Sequence, residues 1–438
     1  MSRMKPAHVT ACIVIVAAAI RLGLLLMAPG QPQRLFTPDS EGYVRLATEL
    51  VQSGRFEQDG RAEIFRTPGY PVLLIAGAPW GEGWYLAVAV AQVAMDVAVV
   101  YLVYVLGWIP CKRGVGQLAA VFYALSPLAA ASSLRILSDG LFTLLWLFAL
   151  LMLVFHLRTR RWWALIAGAV AMGLSAYVRP VGLAYAVVVV AVLLSQADRW
   201  RRAGAFLAVL TLAVGPWVVR NYVRADYVGF SSFASDSLYY FGAPDLTAKR
   251  DGISPAQARE RAWREGHQLD EDLPPGPAAA ERAAIVMDLV GSAPLEYTKV
   301  HLAGSLGFWL PSANEVLEVA GLIAGNRGTL DVLHQQGPWA AAKHYFGGDR
   351  RAMALAAVMV AMEGLMYLGV LAWVALCLRR RLGPEYWLGV AIVLVAWLIV
   401  GPSGLPRYRL PVTPLLCAAA AAGYFAIGLR VRRRRASA

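Results

Sequence analysis

The chain has 438 residues, 58% of them hydrophobic and 16% charged, with a mean hydropathy of +0.53. Soluble domains are about 45–50% apolar, so one soluble core is excluded and a multi-span membrane protein is expected. The net charge of +13 sits in short basic clusters between apolar runs, the pattern of topology signals rather than of a nucleic-acid surface.

In chain order, residues 9–27 follow Arg3 and Lys5 and are too long an apolar run for a signal-peptide core, so they read as a retained first span. Residues 29–65 are polar, and 68–80 form a short apolar stretch interrupted by Pro and Gly that should lie at the membrane surface. Further spans are expected at 84–106, 116–131, 141–157, 162–177, 181–194 and 203–219, and, after a hydrophilic segment at 221–349, at 354–378, 387–400 and 412–429. This makes about ten spans at the length a bilayer requires. The predicted fold class is an all-α membrane protein, a multi-span helical bundle. Residues 1–438 form one integral membrane domain, with a first outer loop at 29–83 carrying interfacial helices and a mostly helical outer segment at 221–350. Ser254-Pro255-Ala256-Gln257 predicts a helix start within that segment, since Ser and Gln three apart can cap each other's backbone and Pro suits the first turn. Residues 280–290 predict another helix.

Lys112/Arg113, Arg158/Arg160/Arg161, Arg199/Arg201/Arg202, Arg379/Arg380/Arg381 and the tail Arg432 to Arg435 all fall on one side under this count. The positive-inside rule makes that side cytoplasmic, with both termini, and the expected location is the bacterial inner (plasma) membrane. Of the four cysteines, Cys12, Cys377 and Cys417 lie in or at the ends of apolar runs and Cys111 in a basic loop, so neither a disulfide framework nor a zinc site is expected.

The first outer loop carries Thr37-Pro38-Asp39-Ser40-Glu41-Gly42-Tyr43, with Tyr43, Leu46, Ala47 and Leu50 spaced to share one face of an amphipathic surface helix. Asp39 and Glu41 would complement the dipole of its first turn. At the same membrane level come Arg66-Thr67-Pro68-Gly69-Tyr70-Pro71, Asp139, Arg179-Pro180, Trp217 to Asn221, and Pro406-Arg407-Tyr408-Arg409-Leu410-Pro411. Short outer loops should be poor in arginine, so Arg66, Arg179, Arg220, Arg407 and Arg409 run against the rule that orients the chain. Arginines at the interface can snorkel to lipid headgroups, but as a set they suit a phosphate or diphosphate held by forked, charge-assisted hydrogen bonds.

These residues together resemble the polyprenyl-phosphate-dependent glycosyltransferases of the GT-C fold, in the branch containing protein O-mannosyltransferases and the lipid A aminoarabinose transferase. Asp39 with Tyr43 and Ala47 resembles the family's first-loop acidic motif, and Arg66 through Pro71 its Arg-x-Pro-Gly-Tyr-Pro signature. The likeness continues through Arg179-Pro180, Trp217 to Asn221, Pro294 to Trp309 with Tyr297 and Trp309, and Arg407 to Pro411. Relatives often have an adjacent Asp-Glu pair, whereas Ser40 separates Asp39 from Glu41 here.

The resemblance implies an inverting hexosyl or pentosyl transferase that moves a sugar from a polyprenyl-phosphate carrier to a hydroxyl on a glycan, lipid or protein, at the non-cytoplasmic face. Asp39 is the expected base, with Glu41 and Asp139 as further catalytic candidates. Arg66, Arg179, Arg220, Arg407, Tyr408 and Arg409 are the expected phosphate ligands, with Tyr43, Tyr70 and Asn221 lining the substrate. The expected partners are the lipid-linked donor, the acceptor and the bilayer, without nucleic acid. No metal is obligatory, which leaves room for a divalent ion. The alternative is a transporter or flippase of an anionic lipid, which would bury charges at mid-bilayer; Asp96 and Glu363 are the deepest acidic residues available to it.

Overall fold

The structure is a computed structural model describing residues 6–27, 32–323, 329, 332, 336–345, 348–378 and 383–437. It begins with α1 (Pro6–Leu26), after which the first loop folds into α2 (Pro38–Ser53), an antiparallel hairpin of β1 (Glu57–Gln58) and β2 (Arg61–Ala62), and α3 (Gly69–Ile75). Next come α4 (Trp84–Trp108), α5 (Arg113–Ala124), α6 (Pro127–Ser132), α7 (Asp139–Thr159), α8 (Trp162–Val178), α9 (Val181–Leu194) and α10 (Arg199–Ala225). The hydrophilic segment that follows contains α11 (Phe233–Ser237), α12 (Ala243–Asp251), α13 (Pro255–Asp272), α14 (Pro275–Ser292), α15 (Pro294–Ser305), α16 (Ala313–Val319) and α17 (Pro338–Tyr345). The chain re-enters the bundle as α18 (Arg350–Cys377) and α19 (Pro384–Val400), turns through short 3-10 helices at Gly401–Ser403 and Pro406–Val412, and ends in α20 (Thr413–Ser437).

Among the described residues, six helices are long and apolar enough to cross a membrane: Ala7–Leu26, Ala78–Trp108, Asp139–Thr159, Arg199–Ala225, Arg350–Cys377 and Pro406–Gly428. Trp162–Val178, Val181–Leu194 and Pro384–Val400 are shorter apolar helices. The span expected at 116–131 is not continuous: it divides into α5 and α6 at Leu125–Ser126. Pro127 cannot extend the preceding helix, and Ser126 Oγ instead accepts from Ala129 N at 3.4 Å to start a new one. The break frees carbonyls inside the bundle, and fully buried Arg21 takes one by donating to Ala124 O at 2.6 Å. Arg21 Nε also donates to Asp96 Oδ2 at 2.6 Å, while the Tyr123 hydroxyl donates to Asp96 Oδ1 at 2.8 Å. A charge this deep is tolerated because it is both paired and hydrogen-bonded.

Residues 221–350 are mostly helical where described, as expected, and α13 starts where Ser254 Oγ accepts from Gln257 N at 3.2 Å and Gln257 Oε1 accepts from Ser254 N at 3.0 Å. At one end of the bundle, Arg158 pairs with Glu385 at 2.8 Å and donates to Ile109 O at 3.0 Å, and Tyr386 donates to Pro110 O at 3.2 Å. Three of the loops expected to share a side therefore meet there. The 379–381 cluster lies outside the described residues, as does the expected loop start at 29, and of 432–435 only the helical backbone is described.

Arg409 fastens the opposite end. It is 1% exposed, donates to Phe308 O at 3.0 Å and Leu310 O at 3.1 Å, and pairs with Glu363 at 3.2 Å. Removing one partner of a buried pair strands the other charge. Arg409→Ala should therefore cost about 3–5 kcal/mol of stability, seen as a lower melting temperature of the purified chain. Unchanged melting would show that Glu363 does not need it.

Candidate active site

Two elements of the first loop carry the expected first-loop residues. Thr37 N donates to Ser40 Oγ at 2.9 Å, and Ser40 Oγ donates to Ile136 O at 2.8 Å, so Ser40 is the inward residue that fixes the start of α2. Successive helical residues turn by about 100°, which places Asp39 at the edge of the cluster and leaves Glu41 exposed, without a hydrogen bond or ion pair among the described residues. Further along, Glu63 Oε1 accepts from Phe65 N at 2.6 Å and Arg66 N at 2.8 Å, and the Ser231 hydroxyl donates to Phe65 O at 2.6 Å, presenting Arg66. A Cβ on Gly69 would lie 2.7 Å from Tyr177 O, so glycine lets α3 approach the end of α8, where Arg179 stands.

Asp39, Tyr43, Arg66, Asp139, Arg179, Arg407 and Tyr408 form a circuit. Asp39 Oδ2 accepts from Arg407 at 2.5 Å. The Arg407 and Arg179 guanidiniums lie 5.2 and 5.7 Å from the centre of the Tyr408 ring, and Arg179 donates to Asp139 in a close pair. The neighbouring Ser138 hydroxyl is 3.0 Å from the Tyr43 hydroxyl, and Arg66 lies over the Tyr43 ring at 5.4 Å. A Cβ on Gly42 would sit 2.5 Å from the Arg66 guanidinium carbon, so glycine makes room for this cation. Arg66 donates no side-chain hydrogen bond among the described residues.

Burial pushes the Asp39 carboxyl up, but Arg407, with Arg66 and Arg179 beyond it, outweighs this and holds it below the ordinary carboxylate range. The carboxylate therefore stays ionised through neutral pH, and its pairing is lost only as the pH falls through that depressed value. Burial raises Glu63 and Glu315, so these protonate first on acidification.

Four expected site residues are held elsewhere. Arg220 donates to Phe56 O and, at 2.7 Å, to Glu63 O, tying the first loop to α10, and it stacks on Trp217 at 4.8 Å. Asn221 is fully buried and donates to Gly229 O and Phe230 O at 2.9 and 3.0 Å. Tyr70 is fully buried beneath Tyr43, donating to Gln92 Oε1 at 2.6 Å. Arg409 turns into the bundle, as described above.

Arg135, Glu315 and Glu318 were not anticipated. Arg135 pairs with Glu315 at 3.1 Å and Glu318 at 2.7 Å, and Glu315 is close enough to Asp139 and Arg407 to feel their charges. Arg135 is one more arginine in a short loop expected to face outward, the same signal that singled out the others. Among the described residues, no three His, Cys, Asp or Glu side chains gather as metal ligands.

Residues 81–219 match the family model described as dolichyl-phosphate-mannose-protein mannosyltransferase. Comparison with curated proteins finds no sequence match. Among solved structures the chain is similar to the oligosaccharyltransferase AglB of Archaeoglobus fulgidus in complex with an inhibitory peptide and a dolichol-phosphate, at 14% identity and a TM-score of 0.53, over 98% of this chain and 51% of that one. The same organism's oligosaccharyltransferase in complex with Zn and sulfate gives 17% identity and a TM-score of 0.50, over 93% and 48%. ArnT of Cupriavidus metallidurans bound to undecaprenyl phosphate gives 18% identity and a TM-score of 0.43, over 96% and 79%. The chain thus spans about half the length of the oligosaccharyltransferase it matches. It is a membrane protein of the GT-C fold, and its residues 81–219 carry the mannosyltransferase-family match.

Proposed function

We propose that this chain is an inverting glycosyltransferase that moves a sugar from a polyprenyl-phosphate carrier to an acceptor hydroxyl on the non-cytoplasmic face of a bacterial inner membrane, with both termini cytoplasmic. The observation that carries this reading is the meeting of Asp39 with Arg66, Arg179 and Arg407 at one end of the bundle. The family match and the fold shared with a dolichol-phosphate complex support it.

The acceptor oxygen attacks the anomeric carbon and its proton passes to Asp39. The bond from that carbon to the phosphate oxygen breaks, and its electron pair leaves with polyprenyl phosphate. Arg66, Arg407, Arg179 and the Tyr408 hydroxyl stabilise the charge that grows on the phosphate. A base worth about 10²–10⁴-fold and an anion clamp suffice for this scheme, which takes no step through a metal.

Reconstitution of the full chain with defined polyprenyl-phosphate sugars, followed by mass spectrometry, tests the reading. The expected result is a sugar on an acceptor hydroxyl, with inverted anomeric configuration, and free polyprenyl phosphate. Carrier that crosses the membrane with its sugar still attached, and no transfer, would replace this reading with the flippase.

A further inference from the structure

We propose that Asp39 and the donor's phosphate compete for Arg407, so that the carboxylate is released to act as base only when the donor is seated. This rests on the glycosyl-transfer reading above. Asp39 Oδ2 accepts from the Arg407 guanidinium 2.5 Å away, so that oxygen's lone pair is engaged by the cation. A carboxylate so engaged is a poor proton acceptor.

The pair is built to open. Asp39 is 43% exposed and Arg407 20%, whereas Asp139, tied to Arg179, is 4% exposed. Half-exposed ion pairs are weak, and buried ones resist separation. An entering phosphate meets Arg66 first, because that guanidinium has no carboxylate partner among the described residues. Arg407 Nε, buried and without a hydrogen-bond partner among the described residues, offers the fork a second donor. With phosphate on Arg407, like-charge repulsion moves Asp39 off while Asp139 stays. The base is then armed by the donor, and the reaction runs donor first.

A competitor inside the site weakens apparent affinity by the fraction of time the site is free. If Asp39 holds Arg407 about nine-tenths of the time, Asp39→Asn should bind polyprenyl phosphate about tenfold more tightly, even though it transfers sugar slowly. The measurement is the dissociation constant of polyprenyl phosphate for the purified full chain, wild type and variant, alongside thermal melting. Equal or weaker binding by a folded Asp39→Asn chain overturns the exchange.

A second readout needs no variant. The pH profile of kcat/KM reports the free enzyme and that of kcat the loaded one, so the acid limb of kcat should lie at higher pH than that of kcat/KM for the donor. Coincident limbs overturn the proposal. A wild-type chain that binds no polyprenyl phosphate removes the glycosyl-transfer reading itself, whereas binding without tightening removes only the exchange.

Discussion

Asp39→Asn should lower sugar transfer by about 10²-fold or more while the chain still folds. The substitution keeps the shape of the side chain and removes its basicity, so the expected loss is in the proton transfer. Asp39 sits in the first turn of α2, where a carboxylate also complements the helix dipole. If that were its whole role, the variant would lose only about 0.3–1 kcal/mol of stability and little activity. Initial rates and melting curves on the same preparation separate the two. Glu41→Gln is the internal control: Glu41 is two residues away, exposed and unpaired among the described residues, so its loss should be much milder. A stable Asp39→Asn chain that transfers sugar at the wild-type rate would remove Asp39 as the base and move attention to Asp139 and Glu315.

What could be read in advance follows from how local each signal is. Spans are written in consecutive apolar residues, and most of the expected ones are helices. The break at Leu125–Ser126 had its own signal, a Ser-Pro step inside an apolar run, which hydropathy averages away. The hairpin had one too: Asp59-Gly60, both at positive φ, is the dipeptide a two-residue turn needs. Arg66, Arg179 and Arg407 stood out because they violate a loop-composition rule. Arg220 and Arg409 violate it equally, yet they bind backbone carbonyls within the fold. Composition places an arginine at a membrane level and leaves its direction open. Two residues along a 3-10 turn rotate a side chain by about 240°, so Arg407 faces Asp39 while Arg409 faces Glu363. Glu315 and Glu318 were illegible for another reason: what draws them to the cluster is Arg135, which their own stretch of sequence does not reveal.

Arg66→Ala should weaken donor binding and lower transfer by about 10²–10³-fold, the scale of removing one preorganised donor to a developing anion, with melting almost unchanged. The asymmetry comes from its surroundings. Arg407 answers to Asp39, Arg179 to Asp139, and Arg135 to Glu315 and Glu318. Arg66 has no ion-pair partner among the described residues and lies over the rings of Tyr43 and Phe65, each 5.4 Å from its guanidinium. Cation–π contacts at such sites are worth about 0.5–1 kcal/mol, so little stability is lost with the side chain. This is the opposite signature to Arg409→Ala, where stability should fall first. Arg66→Lys should rescue poorly, because an ammonium cannot make the two parallel bonds of a guanidinium fork. The measurements are donor affinity, initial rate and melting temperature on the same purified variants. A folded Arg66→Ala chain with wild-type donor affinity and rate would leave the unpaired guanidinium without a phosphate to bind and assign it to a lipid headgroup.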